Sequence, residues 1–202
     1  MKVYDISQEV LGCSVYPGDP APQRTVMQSM EDGALYNLSG LQMCAHNGTH
    51  IDAPAHFLKA GKTVERIALE ACVGMAYVTQ YDGIVSADAA ASMLRKAQTA
   101  DSCAARRILI KGRAEVSLEA AEVFARSDIL LIGNESQSVG PESAPMAVHK
   151  TLLSRDIVLL EGIRLSEVPE GVYLLSAAPL NIAGAEGSPC RAVLIDLGEH
   201  GQ

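Results

Sequence analysis

Three of the chain's five histidines fall within one eleven-residue window, His46-Asn47-Gly48-Thr49-His50-Ile51-Asp52-Ala53-Pro54-Ala55-His56. Neutral imidazole together with carboxylate is a donor set that divalent transition metals take readily. Positions 46, 50, 52 and 56 share one parity. Side chains of an extended segment alternate faces, so these four are expected on one side of the backbone. Gly48 permits a bend or a close backbone approach, and Pro54 argues against a continuous helix. The window therefore reads as an extended stretch running into a turn, with His46, His50 and Asp52 converging on a metal. Two imidazoles and one carboxylate leave room for water, which distinguishes a catalytic site from a closed structural one. The plain alternative is an exposed loop carrying unrelated polar residues.

A carboxylate can bridge two ions, which makes Asp52 the natural shared ligand of a dinuclear site. A second ion needs donors from elsewhere, and His149 with Glu161 is the best pair available. Glu161 ends the apolar run Ile157–Leu160, at the C-terminal end of a strand, where α/β folds present active groups. Spacing alone leaves open that Glu161 is only an exposed strand-end carboxylate. His56 lies past the Pro54 turn and has three candidate roles. It could donate a proton to a leaving group, ligate a metal as a third imidazole, or orient Asp52 from outside the metal shell. Cys44 shares the parity of His46 and either lines the site or packs as a small buried hydrophobe.

The elements that must position these residues alternate through the chain. Met75–Tyr81, Arg107–Lys111, Ile129–Ile132 and Ile157–Leu160 read as strands. Between them, Ser86–Ala97, Ser117–Ala125 and Met146–Ser154 read as helices, two opening on a serine suited to the N-cap. Val3–Ile6, Leu35–Ala45, Val172–Leu175 and Ala192–Ile195 add strand-like runs at the two ends. No linker, repeat or low-complexity run divides residues 1–202, so one α/β domain is expected, with parallel βαβ units centrally and mixed strands at its ends. Unbroken apolar strands imply a sheet covered on both faces.

Composition removes several function classes. The 202 residues are 48% hydrophobic but only 4% aromatic, without tryptophan, so aliphatic side chains must fill the core. A formal net charge of −8, without a Lys/Arg cluster, argues against nucleic acid or an anionic membrane as partner. Met1-Lys2-Val3-Tyr4-Asp5 meets an acid at once and lacks the apolar run of a secretory signal. Five cysteines, an odd number with wide spacing and no CxxC, suit free thiols in a cytoplasmic protein better than a disulfide framework.

The window extended to Phe57 resembles the HxGTHxDxPxHF signature of the metal-dependent "cyclase" hydrolases, a family that includes bacterial formamidases. The similarity runs on through Asp5-Ile6-Ser7, the loop Ile132–Val139, His149, Glu161-Gly162, Leu165–Pro169, Pro179-Leu180 and Gly187–Leu194, essentially the whole chain. It implies a compact α/β domain around a mixed β-sheet or barrel, of swivelling β/α type, assembled as a homodimer or larger. It also implies two divalent ions, zinc ahead of manganese. His46, His50 and Asp52 would hold one, and Asp52, His149 and Glu161 the other. The resemblance casts His56 as general acid/base in hydrolysis of a carbon–nitrogen amide bond of a small molecule. A cyclic amide, lactone or ester opened by the same metals is the second reading, and a non-catalytic metal-binding protein the third.

Substrate residues depart from the formamidase pattern. Where those enzymes carry Trp-Pro-Gly-Asp, this chain has Tyr16-Pro17-Gly18-Asp19; Tyr16 either stacks on an aromatic substrate or packs over its own turn. The loop Glu135-Ser136-Gln137-Ser138-Val139-Gly140 replaces Asp-Thr-Pro-Ser-Val-Asp. Ser138 keeps its place, either to hydrogen-bond substrate or to make a local turn bond.

Overall fold

The computed structural model describes residues 1–198. Its strands are β1 (Lys2–Asp5), β2 (Gln23–Gln28), β3 (Leu38–Gln42), β4 (His50–Asp52), β5 (Val73–Gln80), β6 (Gly83–Val85), β7 (Arg107–Lys111), β8 (Ala114–Val116), β9 (Leu131–Asn134), β10 (Val158–Glu161), β11 (Gly171–Ser176), β12 (Gly187–Pro189) and β13 (Val193–Asp196). Helices are α1 (Leu69–Cys72), α2 (Ala87–Ala100), α3 (Leu118–Ala125) and α4 (Met146–Leu153). Among the described residues nine strands make the main sheet, in the order β1-β13-β11-β5-β7-β9-β10-β4-β12. Its centre, β5-β7-β9-β10, is parallel, and the strands on both flanks are antiparallel.

The short apolar runs of β7, β9 and β10 have no polar face because both faces are covered. On one side Ile108, Ile110, Ile132 and Leu159 pack against Met93 of α2, Phe124 of α3 and Leu152 of α4. The helices start where serines satisfy their first amides. Ser86 Oγ accepts from Ala89 N–H at 3.2 Å and Ser117 Oγ from Ala120 N–H at 3.1 Å. On the other side Leu109, Leu131, Val158 and Leu160 join Leu175 and Leu194 from one flank and Ile51 from the other. Strands from the two flanks share this cluster, so the sheet curls around it as a half-barrel. Ile6 closes the curl: its N–H donates to Ala192 and its carbonyl accepts from Arg164 N–H.

The expected central elements form with ends shifted by a few residues, but the strand expected over Leu35–Ala45 is only β3, paired with β2 in a separate exposed ribbon. The window around the histidines is corrected more substantially. It is not one extended run: only His50–Asp52 is strand, preceded by a bend at Gly48, where φ is +64°, and followed by a 3-10 turn over Pro54–His56. Shared parity therefore places His50 and Asp52 on one face but says nothing about His46 or His56. No helix among the described residues is long and apolar enough to cross a membrane.

Candidate metal centre and its cavity

The sheet edge β10-β4-β12 builds the site. Register sets Glu161 opposite His50 and Leu159 opposite Asp52. Because faces alternate, Ile51 and Leu160 enter the curled core, while His50, Asp52 and Glu161 project to the side of α4. There α4 supplies His149, buried beside its core neighbours Val148 and Leu152. His46 arrives through the Gly48 bend and His56 through the Pro54 turn. Thus five expected ligands from four segments meet in one place.

Their ring and carboxylate atoms form two sets whose members lie within 4.8 Å of one another: His46, His50 and Asp52, and Asp52, His149 and Glu161. Asp52, 0% exposed, belongs to both. Its Oδ1 lies 2.8 Å from His46 Nδ1 and 3.5 Å from His50 Nε2. Oδ2 has no hydrogen-bond partner among the described residues, and stands 3.6 Å from His149 Nε2 and 3.9 Å from His56 Nε2. Glu161 Oε1 faces His149 Nε2 at 3.1 Å and Oε2 faces His50 Nε2 at 3.3 Å.

Electrostatics follow from burial and pairing. Burial would raise the Asp52 pKa, but the His46 hydrogen bond and the charges of His50 and His46 hold it below the usual carboxylate range. Glu161 is depressed in the same way: burial and the neighbouring Asp52 oppose ionisation, and contacts from His149 and His50 prevail. Burial opposes the imidazolium of His46, yet the Asp52 bond and surrounding carboxylates lift its pKa to about 8. His50 and His149 are raised likewise, against burial, chiefly by their Glu161 contacts. Two buried carboxylates need positive partners, and either imidazolium or divalent cations can supply them. An orphaned Asp52 oxygen between two clusters of nitrogen and oxygen donors fits divalent metal ions of the imidazole-and-carboxylate class.

The cluster floors a cavity of about 400 Å³, a volume suited to a small molecule. His56 lines it from outside both ligand sets. Its ring stacks on His46 with centroids 4.1 Å apart and meets the Phe57 edge at 4.4 Å. Burial, more than any other influence, holds its pKa below the ordinary histidine value. Tyr16 also lines the cavity of its own chain, and its hydroxyl donates to the Glu142 carbonyl at 2.8 Å. Ser138 is 2% exposed, its Oγ unpartnered among the described residues, and the local turn bond is made instead by Ser136 Oγ, which accepts from Ser138 N–H at 3.3 Å. Cys44 lines the wall with its thiol 3.6 Å from Asp19 Oδ2, and burial pushes its pKa up.

The departures in the 135–140 loop divide between scaffold and cavity. Glu135 accepts from Gly112 N–H at 2.6 Å and Leu165 N–H at 2.8 Å, so it braces the loop. Val139 N–H donates to Glu161 Oε1 at 2.7 Å and fixes that carboxylate. Gln137 lines the cavity with both amide atoms buried and, among the described residues, unpartnered. Sequence reasoning missed Glu186 and Asp19, which add two carboxylates to the cavity wall. For Glu186 the only local signal was an acid immediately before a glycine in a turn-rich stretch.

Residues 4–141 match the family described as a putative cyclase. The chain is 34% identical to the kynurenine formamidase of Salinibacter ruber over 97% of its own length and 98% of the relative's. It is 32% identical to that of Erythrobacter litoralis, over 99% of this chain and 96% of the relative. A solved structure described as a potential metal-dependent hydrolase with cyclase activity superposes with a TM-score of 0.80 at 30% identity, covering 96% of each chain.

The bend that delivers His46 rests on Thr49, whose Oγ1 donates to the Gly162 carbonyl at 2.7 Å and accepts from Gln8 N–H at 2.9 Å. Thr49→Val keeps the shape but strips the Gln8 N–H of its acceptor, while the Gly162 carbonyl retains the Gln8 Nε2 donor at 2.7 Å. Urea unfolding of the metal-free protein should show a loss of about 1–3 kcal/mol; an unchanged stability would contradict this reading of Thr49.

Proposed function

We propose, from the premise that this chain belongs to the putative cyclase family, that it is a metal-dependent hydrolase of a non-peptide carbon–nitrogen bond, acting on an aryl formamide of the N-formylkynurenine kind. The observation that carries the reading is Asp52, one buried carboxylate common to two ligand sets, with an unpartnered oxygen beneath a cavity of substrate size. Relatives at 32–34% identity over nearly the whole chain, named kynurenine formamidase, support the substrate class.

His46, His50 and Asp52 would hold one ion, and Asp52, His149 and Glu161 the other; the family resemblance puts zinc first and manganese second, and imidazole donors suit zinc as carboxylates suit manganese. Bound there, divalent ions supply Lewis acidity, which polarises a carbonyl and makes water acidic enough to ionise near neutral pH. His56 is the acid/base residue. Its ring borders the cavity from outside both ligand sets, held by its stack on His46. It takes the proton released as water oxygen bonds to the formyl carbon and passes it to the nitrogen as the carbon–nitrogen bond breaks. Formate and an aryl amine result. Tyr16, with its hydroxyl tied to Glu142, presents its ring to an aromatic substrate, and the free Ser138 hydroxyl supplies a hydrogen bond.

A second reading, opening of a cyclic amide, is favoured by Gln137. A lactam shows its N–H and carbonyl side by side, and a glutamine amide matches that pair with one acceptor and one donor. Assembly as a homodimer or larger is supported by the β2–β3 ribbon, which exposes Val26 (57%), Met27 (58%) and Leu41 (59%). Five free thiols support a reducing, cytoplasmic setting.

Two tests bear on this reading. Chelation should abolish N-formylkynurenine hydrolysis, and zinc or manganese should restore it. Turnover of cyclic amides alone would favour the second reading, and metal binding without turnover on any amide, lactone or ester would make the chain a non-catalytic metal binder. His56→Ala should lower kcat by about 10²–10⁴-fold with bound metal unchanged; loss of an ion would make His56 a ligand instead.

A further inference from the structure

Each imidazole of the two ligand sets has one nitrogen facing the carboxylate pair and the other facing an acceptor outside it. His50 turns Nε2 inward, and its Nδ1 lies 3.0 Å from the Gly48 carbonyl. His149 also turns Nε2 inward, with Nδ1 at 2.9 Å from the Pro145 carbonyl. His46 is reversed. Its Nδ1 faces Asp52 Oδ1 at 2.8 Å, and its Nε2 faces Glu186 Oε1 at 3.3 Å. An outer acceptor holds the ring proton on the outer nitrogen and leaves the inner lone pair free for an ion. For His50 and His149 that acceptor is a backbone carbonyl two or four residues away. Only His46 depends on a charged side chain from a distant part of the chain.

A second observation concerns the surface on which His46 rests. A Cβ on Gly187 would fall 2.4 Å from His46 Cε1 and 2.9 Å from Nε2, so the ring occupies the space that any side chain there would take. β12 pairs Gly187 with Asp52, and Ala53 N–H donates to the Glu186 carbonyl at 2.9 Å. The dipeptide Glu186-Gly187 is thereby hydrogen-bonded to the strand that carries His50 and Asp52. Glycine provides the floor for His46 and glutamate its outer acceptor.

We propose that Glu186 is a positioning residue for the metal centre: it accepts from His46 Nε2–H, directs Nδ1 toward the ion held with His50 and Asp52, and works together with the Gly187 cradle. The inference rests on the two-ion reading above. Glu186 belongs to neither ligand set, and its side chain is 48% exposed at the cavity rim, so replacing it leaves the buried cluster in place.

The test compares wild type, Glu186→Ala and Glu186→Gln. Each metal-free protein is titrated with zinc against a fluorescent chelator, and long-range ¹H–¹⁵N spectra of the zinc-loaded proteins report the tautomer of His46. Glu186→Ala should weaken one of two zinc ions by roughly 10–100-fold, leave the other unchanged, and blur the His46 Nε2–H signature. Glu186→Gln, which keeps an acceptor oxygen, should restore most of that affinity and the signature. Wild-type affinity for both ions in Glu186→Ala, with the same His46 tautomer, would overturn the proposal, as would a raised KM with metal affinity untouched. If wild type itself binds no zinc, the two-ion reading fails first, a result distinct from either of these.

Discussion

Two carboxylates buried side by side dominate this structure. Asp52 is fully buried and Glu161 nearly so, and an uncompensated charge in such surroundings costs several kcal/mol. The protein neither neutralises them with Lys or Arg nor leaves them to water. It surrounds them with imidazoles, whose nitrogens stand 2.8–3.6 Å from their oxygens. Imidazole can compensate a carboxylate as a cation, or as a neutral ligand to a metal that brings the charge itself. That ambivalence makes the cluster a candidate metal centre, assembled where four segments of the chain meet at one sheet edge.

The fold meets the demand through strand order. β4 holds only three residues, yet it lies between β10 and β12, so its His50 and Asp52 are flanked by Glu161 on one side and by Glu186-Gly187 on the other. Alternation sends Ile51 and Leu160 into the curled core, where their burial anchors the same strands that present the polar cluster. α4 closes the arrangement by packing Val148 and Leu152 on the opposite face of the sheet while aiming His149 at Glu161. Core packing and metal-site geometry are thus two faces of the same short strands, and neither can shift without the other.

The sequence made much of this legible because the informative features were local. The donor residues of the 46–56 window, the serine caps at 86 and 117, and the apolar runs leading to Asn134 and Glu161 all carry their meaning within a few positions. Parity over the whole window misled, because a glycine in the left-handed region at 48 and a proline turn at 54 break the strand on either side of Asp52. Gly187 was legible only as the start of a family-like segment, and Glu186 carried no local sign of a site. Their role arises from antiparallel pairing with residues more than 130 positions earlier, which no local pattern encodes. The exposed β2 likewise lacks the buried face that gives a strand its hydrophobic period.

The central claim is that Asp52 joins two metal ions between its imidazole neighbours, and diffraction at the zinc absorption edge tests it most directly. Crystals of the zinc-loaded protein should give two anomalous peaks, one among His46, His50 and Asp52 and one among Asp52, His149 and Glu161, with the Asp52 carboxylate between them. A single peak, no peak, or zinc bound away from Asp52 would contradict the account.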